Sequence, residues 1–509
     1  MNNFILASQA GGITFIVLLA VMTIVVFALA VWLLCLGIRN ENLKLKLKPS
    51  HILILLLVIG TAVRMCVAFS MQGLIGTLVA STADRTGYTG IVGMTKYLID
   101  NGMGEFYNVF DGIFYYPLTM YILTFFGSIC SIFWQVNLSS QAALVFMKLP
   151  FIISDILLAV AVYKITAKYT NEIVALALGG LIAVCPIFML GAIWPSVYSF
   201  LALALVLTMY FMVERKYIAL VLTYTVSLLL AFEAIYLLPI IAVFLIYAYV
   251  KKIQAYKKAD NVNSLWNSEY GLIAKLPVAI VVCMTAAYLL TLPFALNELG
   301  ANPFVIFYYY CLKPFDNFGY FTYNGLSLYT IFDKNGVLLN LSFSTYIFSV
   351  LFMLAIIAVV LIIYLTKKNR ANLVMLASYI LLTLNVYFVN SSELTLLPCL
   401  AITLIAYAVL KDKRLLRIFG IIALIAFVNA AGVLLKAGYF SLDAKYVLEI
   451  LNGSWAALAI VASVIVTLTH IYYTFVLLDI VMNGRLRKFN PTDNSIVSSW
   501  KSLIKIKED

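Results

Sequence analysis

The sequence predicts an all-α polytopic membrane protein, a helical bundle of about 13 transmembrane helices with surface helices in its non-cytoplasmic loops. Three observations carry that prediction. Of the 509 residues, 64% are hydrophobic and only 11% charged, with a mean hydropathy of +1.03; soluble domains are near half apolar and a quarter charged. The apolar residues form continuous runs of helix length, not the short alternating segments of a membrane barrel. Lysine and arginine gather in short connectors between the runs, which sets those connectors inside.

The net charge of +12 therefore reads as membrane topology and not as a nucleic-acid surface. Cys35, Cys66, Cys130, Cys185, Cys283, Cys311 and Cys399 show no paired spacing. They read as small buried apolar residues rather than metal ligands. With only His51 and His470 present, histidine-based metal or triad chemistry is nearly excluded.

The first ten residues are uncharged, and a span follows at about 13–36. It is longer than a signal-peptide core and lacks a basic leader, so it reads as a true span. Arg39, Lys44, Lys46 and Lys48 mark an inside loop, which puts the N-terminus outside. A second span at about 51–70 returns outward.

The next stretch, from Ser70 to Pro117, is polar and carries Asp84, Arg85, Asp100, Glu105 and Asp111. Gly102 and Gly104 break it, predicting two short surface helices around that turn. The run at about 113–134 is long enough to span. If it did, Lys164 and Lys168 and every later basic loop would fall on the wrong face. It is therefore expected to lie at the surface or to dip in without crossing.

Spans then follow at about 142–163, 172–190, 196–213, 217–231, 233–250 and 272–294. Their inside connectors hold Lys164 and Lys168, then Glu214, Arg215 and Lys216, then Lys251 to Lys258 and a polar piece up to residue 272. A second outside segment runs from about Asn297 to Asn340. The remaining spans are at about 343–365, 371–389, 393–410, 415–435 and 456–480, with a third outside segment at 436–454 and a basic inside tail. No internal repeat or soluble domain is visible.

All the long polar segments fall on one face, as an enzyme acting on a lipid-linked substrate at the membrane surface requires. Asp84 is the main catalytic candidate, a carboxylate able to take the proton of an attacking hydroxyl; the plain alternative is a solvated loop acid. Arg85 beside it either holds Asp84 ionised, contacts a phosphate or anchors the loop at the interface. Glu105 and Tyr107 suit a cavity mouth. Phe114, Tyr115, Tyr116 and Pro117 suit an interfacial anchor that opens a helix. Lys148, Asp155 and Glu233 are charges within or beside apolar runs, which are costly there and so are paired, cavity-facing or functional. Lys148 and Asp155 are seven apart and share a helix face. Asp479 and His470 suit helix packing.

In this order and spacing the chain resembles the C-type-fold (GT-C) glycosyltransferases that use polyprenyl-phosphate sugars, in particular the bacterial relatives of the dolichyl-phosphate mannosyl- and glucosyltransferases. The resemblance rests on Asp84, the stretch from Tyr97 to Gly102, Phe106-Tyr107 and Tyr115-Tyr-Pro-Leu118. It continues with the tract from Lys148 to Leu157, Pro186 followed by Trp194, Phe232-Glu233 before Pro239, Asn324, and the turn from Asn390 to Glu393. It covers residues 51–410, within a module spanning 51–435 whose outside loops are 71–141 and 297–342. Residues 1–50 then add an extra span with a basic linker, and 436–509 a loop, a last span and a cytoplasmic tail.

The resemblance implies a GT-C-like bundle in a bacterial plasma membrane, taking a polyprenyl-phosphate sugar to an envelope lipid, glycan or protein with inversion. Asp84 would stand at the general base, Arg85 or Lys148 would meet the carrier phosphate, and Glu105, Tyr107, Tyr116, Asp155, Trp194, Glu233, Asn324 and Glu393 would line the substrate site. Basic groups or a divalent cation would stabilise the leaving phosphate; the sequence has no Asp-x-Asp pair. The family's Gln and Asp after Trp194 are absent, as is the histidine beside Glu393. Those departures leave open a different sugar or acceptor, or a non-catalytic protein that keeps lipid or partner binding. A transporter or flippase is the alternative from another class.

Overall fold

The structure, a computed structural model, describes residues 24–39, 49–70, 90–109, 116–134, 141–258, 266, 270–295, 321–335, 337, 343–367, 370–389, 391–436 and 454–487. The first helices are α1 (Ile24–Arg39), α2 (Pro49–Ser70), α3 (Gly90–Asn101) and α4 (Pro117–Trp134). Then come α5 (Gln141–Thr166), α6 (Glu172–Val184), α7 (Pro186–Ile193), α8 (Val197–Val213) and α9 (Tyr217–Leu230). A 3₁₀ turn at Phe232–Leu237 leads into α10 (Leu238–Tyr256), followed by α11 (Leu272–Thr291) and α12 (Phe343–Lys367). The last four are α13 (Arg370–Tyr387), α14 (Leu397–Leu410), α15 (Lys413–Lys436) and α16 (Ser454–Val481).

Each run expected to span holds a helix where it is described, and the run at 393–410 opens with a turn and is helical from Leu397. Seven helical stretches are long and apolar enough to cross a membrane among the described residues, or eight if the bent pair α6–α7 counts as one. The chain is thus an all-α polytopic membrane protein. The shorter apolar helices include α8, α9, α13 and α14. A 14-residue helix such as α14 is about 21 Å long at 1.5 Å per residue, shorter than the ~30 Å hydrocarbon layer. All of α14 from Leu397 to Ala408 is buried, so protein and not lipid surrounds it. One continuous hydrophobic core includes residues of α1 and α16 as well as the helices between them.

The predicted single run at 172–190 is two helices at 45°. Pro186 has no N–H, so the carbonyl of Ile182 loses its helical partner. Arg64 of α2 fills the gap. Its Nη1 donates to Ala183 O at 2.5 Å and its Nη2 to Ile182 O at 3.4 Å. The approach is close because residue 60 is glycine: a Cβ there would lie 2.5 Å from Ala183 O.

Side-chain bonds distinguish two ends of the bundle. At the basic end, Asn171 caps α6 by accepting from Val174 N and donates to Gly37 O of α1. There Lys168 meets Tyr210, and Tyr169 donates to Glu214. Arg414 joins Asp412 at 2.8 Å and Asp479 at 2.6 Å, tying the α14–α15 turn to the end of α16. The opposite, loop end holds the connections α7–α8, α9–α10 and α13–α14. α4 belongs to the loop end: Tyr121 donates to Leu290 O near the end of α11, and Phe126 packs on Phe146 near the start of α5.

The loop end also carries a feature an all-α reading does not contain. β1 (Thr322–Tyr323) pairs in parallel with β2 (Ser391–Ser392), matching Thr322 to Ser391 and Tyr323 to Ser392.

Candidate functional site

The segment around β1 is fastened from several sides. Thr322 Oγ1 bonds Ser391 O at 3.2 Å. Asn385 of α13 donates to Leu326 O, Asn429 of α15 donates to Asn324 O, and Tyr329 donates to Tyr387 O. Asn324 is buried with left-handed φ of 55°, a conformation asparagine tolerates. Its backbone N–H donates to Asn335 Oδ1 at 2.7 Å, and its own Oδ1 accepts from Asn335 Nδ2 at 3.0 Å. That pairing gives Asn324 a structural task at this end of the bundle.

β2 delivers the turn that follows it. Ser392 N and Oγ both bond Thr395 Oγ1 at 2.9 Å. Thr395 in turn donates to the Tyr198 hydroxyl at 3.3 Å, and Tyr198 donates to Glu233 Oε1 at 2.7 Å. Three connections far apart in sequence thus meet in one polar chain: the start of α8, the 3₁₀ turn before α10, and the turn before α14. Trp194, shortly before α8, is buried, 1% exposed. Glu393 is 5% exposed, and its Oε2 has no hydrogen-bond partner among the described residues. Burial pushes its carboxyl up to about 8, so near neutrality it largely keeps its proton and can donate a hydrogen bond.

That elevation sets an expected pH profile. A carboxyl with a higher pKa folded than unfolded favours the fold most when protonated. Its contribution is full below about 4.5 and is lost as pH rises through about 8. Melting of the detergent-solubilised protein should weaken across this window, by up to about 1.4 kcal/mol per pH unit from this group. Glu393→Gln should flatten the profile; parallel loss in both proteins would assign the effect to another residue.

A second cluster lies between α2, α5 and the α6–α7 break. Lys148 is buried and donates from Nζ to Ala68 O at 3.2 Å, on the last turn of α2. Asp155 forms a fully buried ion pair with Arg64. Lys148 and Asp155, seven apart on α5, both reach α2. The partner of Asp155 is Arg64, because the guanidinium reaches both the carboxylate and the carbonyls freed at Pro186.

The short turn Phe106–Val109 docks through rings. Tyr107 lies 5.5 Å and Phe106 6.1 Å from Phe294, and Tyr121 packs on the same ring at 5.4 Å. Tyr116 is buried and Glu105 is exposed. Asp84 and Arg85 lie outside the described residues, as do Phe114, Tyr115 and Asn390. Among the described residues no three His, Cys, Asp or Glu side chains gather as metal ligands.

The site residues thus divide. Glu233 and Glu393 belong to the assembly around Tyr198 and Thr395, and Asn324 to the β1 segment paired with it. Lys148 and Asp155 belong to the α2–α5 contact. Sequence reasoning missed Arg64, Tyr198, Thr395 and Asn335. Only Arg64 had a signal, a lone charge inside an apolar run.

The fold and these sites define an integral membrane protein in which a buried, hydrogen-bonded polar cluster joins three connections at one end. None of the protein-family models matches the chain, and none of the curated proteins is significantly similar to it.

Proposed function

We propose that this protein transfers a sugar from a polyprenyl-phosphate donor to an envelope lipid, glycan or protein. In this reading it is a GT-C-like bundle of 13 spans in a bacterial plasma membrane. The N-terminus is outside, the C-terminus cytoplasmic, and α4 does not cross. One observation supports it above the rest. The turn carrying Glu393, the turn carrying Glu233 and the start of α8 join in one hydrogen-bonded wall, at the end away from the basic connectors.

The donor's isoprenoid tail lies along the apolar bundle, with its phosphosugar at the loop end. Asp84 takes the proton of the acceptor hydroxyl, whose oxygen attacks the anomeric carbon opposite the phosphate. The C–O bond to the phosphate breaks, and configuration inverts. Phosphate is a competent leaving group, so its charge needs stabilising more than it needs a proton. Arg85 and Lys148 are the cations for that task. Neutral Glu393 donates to a sugar or acceptor hydroxyl, and Glu233 orients Tyr198.

The test uses purified protein, radiolabelled polyprenyl-phosphate sugars and an envelope acceptor extract. Wild type should transfer label, and Asp84→Asn should lose at least about a hundredfold, the usual range for a general base. Equal transfer by both proteins, or none by wild type over a broad donor panel, would overturn the assignment.

A transporter or flippase is the second reading, favoured by the α6–α7 break with its buried ion pair, since transporters bind substrate at discontinuous helices. It predicts passage of labelled lipid between leaflets without transfer.

A further inference from the structure

A cavity of about 410 Å³ opens at the basic end between α9 and α11, remote from the wall described above. Its lining includes Arg215, Lys216, Tyr217, Gly271, Leu272 and Lys275, and among the described residues no acid. Glu214, the neighbouring carboxylate in sequence, is engaged by Tyr169 at 2.6 Å and Lys168 at 3.8 Å. Three cationic side chains therefore border one hollow with no countercharge in its wall among the described residues.

The backbone adds to the field. α9 begins at Tyr217 and α11 at Leu272, and neither start has a side-chain cap. The first-turn N–H groups of a helix have no partner inside it, and they carry the positive end of its dipole. Both starts lie in the cavity wall, so the side chains and the backbone favour the same sign of ligand.

The surroundings indicate where such a ligand comes from. α11 exposes Val281, Val282, Met284 and Leu289, and α9 exposes Leu222, so both helices present apolar side chains outward. Lys275 sits over the Trp266 ring at 5.6 Å and Lys252 over Tyr270 at 5.8 Å. Aromatic and basic residues beside a hydrocarbon-facing helix mark the depth of lipid headgroups.

We propose that this cavity binds a phosphate-bearing anion, with the phosphate between Arg215, Lys216 and Lys275 and against the starts of α9 and α11. The shared chemistry is an anionic phosphate group, supplied by a lipid headgroup or by soluble phosphate. Occupancy would hold α9 to α11 at this end of the bundle.

The test places the full chain in phosphatidylcholine nanodiscs with and without phosphatidylglycerol, counting retained lipid by native mass spectrometry and recording melting. A second arm titrates inorganic phosphate and pyrophosphate into the phosphatidylcholine discs. Arg215→Gln/Lys216→Gln/Lys275→Gln should bind at least about tenfold more weakly, as loss of charged hydrogen bonds implies. Lys257→Gln/Lys258→Gln, exposed at the same end but outside the lining, should behave as wild type. Arg215 and Lys216 are exposed, so their double substitution alone provides a variant with little risk to the fold. Binding in the lipid arm identifies a headgroup, and binding in the phosphate arm a soluble ligand. Unchanged binding by the triple variant, equal loss in the Lys257/Lys258 control, or no binding in either arm would overturn the proposal.

Discussion

Arg64→Ala is expected to destabilise the protein by about 3–5 kcal/mol, the usual result of stripping one partner from a buried ion pair. Asp155 would keep a charge with 0% side-chain exposure and no cation beside it. The carbonyls of Ile182 and Ala183 would also lose a donor, at about 1–3 kcal/mol for each group left unmet. The double substitution Arg64→Met/Asp155→Leu separates these contributions. Replacing both charges with apolar groups of similar size removes the stranded carboxylate, so stability should recover in part. It should not recover fully, because the broken helix still presents its carbonyls. Unfolding in mixed micelles gives the three values. If Arg64→Ala unfolds with wild type, the pair contributes nothing that matters to the fold.

Gly325→Val should do the most damage at the loop end. A Cβ at this position would sit 2.5 Å from both Ser391 O and Ser391 Oγ, closer than non-bonded atoms allow. Since one of those atoms is backbone, β1 and β2 would have to separate. The Thr322–Ser391 bonds would go, and with them the support for the turn holding Glu393. Overpacking of this kind costs about 1–3 kcal/mol. Under the proposed transferase reading the larger effect should fall on activity, with sugar transfer dropping by about tenfold or more, as a displaced polar group commonly causes. Hydrogen exchange at residues 391–395 should rise in parallel. Full activity with unaltered exchange would show that the strand pair does not hold the wall in place.

The helices were legible in the sequence because a lipid-facing or deeply buried helix needs a continuous apolar run, and such a run is visible locally. The charge criterion that singles out Lys148 and Asp155 applies equally to Arg64 in the 51–70 run. Pro186 likewise announces a break in the run that contains it. The loop-end wall has no such signal. Tyr198 meets Glu233 across 35 residues and Thr395 across 197, and each is an ordinary polar residue in its own stretch. Two-residue strands such as Thr322–Tyr323 are too short for any alternation to register. Asn324 could be noticed as a polar residue in a loop, but its pairing with Asn335 depends on a left-handed backbone that the sequence does not display. Glu393 drew notice in the sequence only through the resemblance, whereas its burial depends on the tertiary packing of α14.

The contact that Arg64 makes with the kinked pair also bears on how the chain is made. Its carboxylate partner lies 91 residues downstream, and the carbonyls it covers lie 118 and 119 residues downstream. At ribosomal speeds of about 5–20 residues per second, the guanidinium waits roughly 5–20 s for its first counterion to be synthesised. During that interval α2 must shelter near the translocon or keep its charge at the lipid–water boundary. Final seating of α2 therefore waits for a partner made 91 residues further along the chain.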